Sequence, residues 1–183
     1  MSRQANEPRG DLADRALPYL AASAGAMAAV WAAVLLFFGT VGVLDGLAGR
    51  PGVLGGVLVM LFNVTLVTLP TIYVLGTLVI FGIEAALGSM PGWKATSVRP
   101  WAYAGAGLIG GLFGGAAAGA GPLAVIGFLG VGVVAGLAAA LALLRARYGD
   151  PKGARRFTIL VPLAGIVAVV VLPIVIGVLG DPG

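Results

Sequence analysis

Four stretches of the sequence carry no charged side chain: residues 16 to 44, 51 to 83, 100 to 144 and 157 to 180. A helix crossing a hydrocarbon core of about 30 Å needs roughly 20 apolar residues. In lipid the backbone must satisfy its own polar groups, as a helix does. The chain therefore reads as all-α, a polytopic membrane helix bundle. Composition agrees, since 60% of the 183 residues are hydrophobic, 10% are charged and the mean hydropathy is +1.07. Eighteen charged side chains cannot coat such a chain in water.

Length divides the stretches. Leu17 to Val43, about Leu54 to Ile83, and Phe157 to Leu179 each suit one helix, the second being long enough to tilt or kink. A single helix over residues 101 to 144 would run about 66 Å at roughly 1.5 Å per residue. The turn sequence Gly119-Ala120-Gly121-Pro122 splits it, with Pro122 suited to the first position of the next helix. Five transmembrane helices result, the third and fourth forming a glycine-rich hairpin. Residues 1 to 16 make a cytoplasmic polar tail, 17 to 180 a single transmembrane domain, and 181 to 183 an external tail.

Charge placement supports the same count, because Lys and Arg of short loops accumulate on the cytoplasmic side. Five crossings put Arg3, Arg9, Arg15, Lys94, Arg99, Arg145, Arg147, Lys152, Arg155 and Arg156 on one face, and leave only Arg50 on the other. The amino terminus is expected inside and the carboxyl terminus outside, in a membrane of the bacterial cytoplasmic type. Tyr19, Trp93, Trp101, Tyr103 and Tyr148 fall near the basic face, the headgroup level that Trp and Tyr prefer. The first apolar run is too long for a signal-peptide core, so the first helix is expected to be retained.

The third helix carries Gly107, Gly111, Gly115 and Gly119 at four-residue spacing, beside a second row of Gly110, Gly114 and Ala118, and the fourth carries Gly132 and Gly136. Small residues let helices in lipid approach closely. The rows predict either a tight hairpin alone or, since one partner helix need not cover both, a surface for a homo-oligomer or a larger membrane complex. The hairpin is superficially similar to the rotor-ring subunits of ATP synthases. Residues 101 to 144 lack the Asp or Glu that would carry an ion, so that function is not transferred.

On the second helix Asn63, Pro70, Thr77 and Glu84 recur every seven residues, with Tyr73 nearby. A straight helix drifts about 20° per seven residues, so the four fall within a sector of about 60°. Pro70 has no amide for the carbonyl of Leu66, which favours a kink. One reading is a polar pathway lined by these residues. The other is that Asn63 and Thr77 bond to neighbouring helices while Glu84 lies at the inner interface, paired with Lys94 or Arg99.

Arg145, Arg147, Lys152, Arg155 and Arg156 form a basic segment expected to attract anionic lipid headgroups or to act as a topology signal alone. It lacks any module for nucleic acid, so none is expected as a partner. The chain has no histidine and no cysteine. No metal site, no cofactor and no paired nucleophile and base are proposed by its residues, so no enzyme is expected. The leading functional expectation is a structural or accessory subunit of a membrane assembly. The alternative is a small-solute or ion transporter or channel using the polar face of the second helix.

Overall fold

The computed structural model describes residues 12 to 47, 62, 65, 66, 70 to 117 and 121 to 180. They form five α-helices with no strand among them: α1 (Leu12–Leu47), α2 (Thr77–Gly88), α3 (Gly92–Ala117), α4 (Pro122–Tyr148) and α5 (Pro151–Gly180). A π-helical segment, Ile72–Gly76, leads into α2. Among the described residues two helices are long and apolar enough to cross a membrane, over Arg15–Leu36 and Ala124–Tyr148, while Ile72–Gly88 is a shorter apolar helix.

The break expected between the third and fourth helices falls between Ala117 and Pro122. Gly121 is extended there and Pro122 opens α4, where its missing amide leaves no bond unmade. Two segments expected as loops are instead mostly helical. Residues 84 to 100 contain the end of α2 and the start of α3, joined by Ser89 to Pro91 alone. Residues 145 to 156 contain the end of α4 and the start of α5, joined by Gly149 and Asp150. Asp150 accepts the Lys152 amide at 3.0 Å and Pro151 follows it, so the α5 helix is capped and started in consecutive residues. The basic side chains consequently ride on helix ends.

The centre of the bundle is α4, packed against α3 on one side and α1 on the other, while α5 lies mainly on α1. The α1 contact is built from small residues: Ala21, Ala22, Ser23 and Ala24 are buried, as are Ala135, Ala139 and Ala140 of α4. A Cβ on Gly25 would meet the Ala138 carbonyl oxygen and the Ala142 methyl at 2.8 Å, so the two backbones approach closely there. Larger side chains fill the two ends. Ile80, Tyr103 and Leu143 cluster with Ala22, Ala139 and Ala140, while Met27 and Val161 pack with Trp31, Ile72 and Tyr73. The outer surface is apolar, with Leu36, Leu78, Phe81, Phe113, Leu141 and Ile174 exposed.

Candidate functional site

Charge between the helices of this bundle converges on one residue. Glu84 sits near the end of α2, its side chain only 5% exposed. Its Oε1 accepts from Arg99 Nε at 2.9 Å and from Tyr103 Oη at 3.3 Å, and its Oε2 accepts from Arg99 Nη2 at 3.3 Å. Arg147 Nη1, from α4, makes a second short bond to Oε2. Arg99 and Tyr103 stand four residues apart on α3, one helical turn, which puts both on the same face toward the carboxylate. Arg147 is fixed further by α1. Its guanidinium lies 5.6 Å from the centroid of the Tyr19 ring, and its Nη2 reaches the Tyr19 hydroxyl at 3.5 Å. The ring of Tyr19 in turn meets Phe81 of α2 in a tilted arrangement at 5.7 Å. Three helices are thus tied through a single carboxylate, and α1 joins them through Arg147.

Burying an unpaired carboxylate would be prohibitive, and two guanidinium partners and a phenol offset that penalty. The two cations exceed the one acid, so the cluster carries a net positive charge. Beside it lies a pocket of about 590 Å³, walled by Tyr19, Phe81, Glu84, Arg99, Arg147 and Tyr148 among others.

About two turns further into the bundle, Thr77 Oγ1 donates to the Tyr73 carbonyl at 2.6 Å and lies 2.8 Å from Ser23 Oγ. The Thr77 proton is taken by Tyr73, so Ser23 is the donor across the α1 interface. The hydroxyl of Tyr73 and the indole Nε1 of Trp31 are buried without a hydrogen-bond partner among the described residues.

The expected polar row on the second helix is accordingly divided. Asn63 lies outside the described residues. Pro70 is exposed, Tyr73 and Thr77 are half-buried, and Glu84 is buried. Seven-residue spacing places residues on one side only of a regular α-helix. The π-helical turn between Pro70 and Thr77 widens the helix and breaks that register. Arg99 is the partner of Glu84, whereas Lys94 is exposed and makes no ion pair among the described residues. Of the basic segment, Arg145, Lys152, Arg155 and Arg156 are exposed while Arg147 turns inward. Tyr103, expected at the headgroup level with Trp93 and Trp101, is buried, and the two Trp are exposed.

Gly107, Gly111, Gly132 and Gly136 meet across the α3 and α4 hairpin. A Cβ on Gly107 would strike the Gly132 carbonyl, on Gly111 the Phe128 carbonyl, and on Gly136 the Tyr103 carbonyl. Gly115 is looser, facing the Phe128 side chain at 3.4 Å, and Gly119 lies outside the described residues. In the second row Gly110 faces open space and Gly114 touches only the edge of the Phe128 ring at 3.8 Å.

Sequence reasoning missed Tyr19, Ser23 and Tyr103 as polar partners and the inward turn of Arg147. The four-residue step from Arg99 to Tyr103 was a usable signal. The 63-residue separation of Glu84 and Arg147 gave none. Fold and site together define a helical protein with two candidate membrane-spanning helices, whose interhelical charge is gathered at one end. No protein-family model matches the chain, and neither the curated proteins nor the solved structures provide a match.

Proposed function

We propose that this chain is a five-span integral membrane protein, amino terminus cytoplasmic and carboxyl terminus external, that serves as a structural or accessory subunit of a membrane assembly. The observation that carries this reading is that the polar groups between helices bond to one another: Ser23 with Thr77, and Glu84 with Arg99, Tyr103 and Arg147. Such bonds hold helices together and occupy the Glu84 carboxylate, so that it is not free to pass an ion. Apolar side chains exposed along α3 and α5, such as Leu108, Ile109, Leu163 and Val170, favour lipid or protein around those helices too. The open second row of Gly110 and Gly114 fits the approach of a further helix. The exposed Arg145, Lys152, Arg155 and Arg156 would meet anionic headgroups at the cytoplasmic face.

The test is purification in mild detergent with native mass spectrometry of the parent and of a variant carrying Gly110→Leu and Gly114→Leu. A stoichiometric partner, or a homo-oligomer, that the variant loses supports the subunit. A monomer that conducts protons, sodium or a small solute in liposomes overturns it.

Transport is the second reading, and one observation favours it. The unpartnered Tyr73 hydroxyl and Trp31 indole lie beside a π-helical turn, a feature frequent at functional sites. Under that reading Tyr73→Phe changes liposome flux without lowering stability.

A further inference from the structure

The ion pairs around Glu84 do not use all the donors they bring. A guanidinium has five N–H groups. Among the described residues Arg99 and Arg147 each commit two, leaving three apiece without a partner there, and the Tyr19 hydroxyl accepts from Arg147 while its own proton has no acceptor among them. All three side chains line the 590 Å³ pocket, which falls within the size range of small-molecule sites. Among the described residues Glu84 is the only acid on its wall, so two cations face one anion. The cations are also held still. Arg147 is stacked on Tyr19 and bonded to Glu84, and Arg99 is bonded through two nitrogens, so little side-chain freedom remains to be lost on binding. Phe81, Leu87 and Met90 supply an apolar wall beside this charge.

We propose that the pocket between Tyr19, Arg99, Arg147 and Tyr148 binds a phosphate-bearing amphiphile or phosphate ester, its anionic oxygens on the two guanidinium groups and its glyceryl or acyl part against Phe81, Leu87 and Met90. Planar guanidinium groups match phosphate oxygens in paired fashion, which is the reason for placing phosphate rather than a halide or a neutral solute here. The site differs from the exposed basic side chains of the α4 and α5 ends, whose attraction to a charged surface is diffuse. A pocket saturates. The inference stands on the pocket and holds whether or not the protein belongs to an assembly.

The experiment exploits two glycines on the pocket wall, Gly88 and Gly92, around which a Cβ would meet nothing within 4 Å. Gly88→Leu with Gly92→Leu is designed to fill the pocket from its wall, and replaces neither partner of an ion pair. Purified protein in an uncharged detergent is titrated with dioctanoyl phosphatidylglycerol, dioctanoyl phosphatidylcholine and glycerol 1-phosphate, following the thermal unfolding midpoint and calorimetric heat. The expected result is saturable stabilisation by phosphatidylglycerol or glycerol phosphate, weakened at least about tenfold in the filled variant, as the loss of a charge-assisted hydrogen bond predicts. Arg145→Gln with Arg156→Gln, both exposed, should reduce the diffuse, non-saturating association with phosphatidylglycerol and not abolish the saturable stabilisation. Binding of the lipid alone identifies a headgroup as the source, and binding of glycerol phosphate identifies a soluble ester. Absence of saturable binding to either by the parent overturns the proposal. So does equal binding by the filled variant.

Discussion

Thr77 has one hydroxyl proton and gives it to its own helix, so the α1 contact depends on Ser23 as donor. Ser23→Ala should therefore lower stability by about 0.6 kcal/mol, the mean for an interhelical bond in a membrane protein. Thr77→Val, which removes the acceptor as well, should cost more, and thermal unfolding in detergent ranks the two. Glu84 is the more consequential residue. Glu84→Gln leaves two guanidinium groups facing each other with their counter-charge gone, and should destabilise by about 3 kcal/mol, toward the low end for a broken buried pair because Arg147 is a quarter exposed. Arg99→Gln should cost less than Glu84→Gln, since Arg147 still balances the acid. Equal losses in the two variants would show that the pairs do not share one carboxylate. The Glu84 to Arg99 pair was legible because both residues border the same short connection. Arg147 was not, because nothing local marks which of five basic residues in its segment turns inward.

At the scale of elements, the hairpin of α3 and α4 sorts its glycines by what they face. Where the first carbon of any side chain would collide with backbone, as at Gly107 and Gly111, even alanine is excluded without separating the helices. Gly107→Ala should accordingly destabilise strongly, whereas Gly115→Ala, facing a movable Phe128 ring, and Gly110→Ala, facing open space, should stay within about 1 kcal/mol of the parent, the scale of a glycine change in a helix. Thermal melts of the three variants read this directly. Four-residue spacing announced the close approach but could not rank the positions, because the rank depends on which atom of α4 lies opposite. The chain break at Pro122 was equally legible, being a property of proline itself. The π-helical turn was not, and it undid the seven-residue arithmetic: periodicity read from sequence presumes a uniform helix, and Pro70 precedes a turn that is not uniform.

For the whole molecule, Tyr148 walls the pocket beside Glu84, and Trp93 and Trp101 are exposed on the helix that carries Arg99, as side chains at a cytoplasmic headgroup level would be under the five-span proposal. Reporter fusions after Gly183 and within residues 119 to 122 should both read external. A cytoplasmic signal at either position overturns the five-span arrangement. The cluster also imposes an order on manufacture. Arg99 follows Glu84 by 15 residues and Arg147 by 63, so a chain made from its amino end supplies the acid with one cation early and the second only when α4 is complete. Until then Glu84 is balanced by Arg99 alone, and the tie from α2 to α4 has not been made. Since α5 contributes no residue to the cluster, a nascent chain halted just beyond Tyr148 already holds every ionic partner that Glu84 has among the described residues, while one halted before Arg147 lacks the only ion pair that joins α2 to α4 among them.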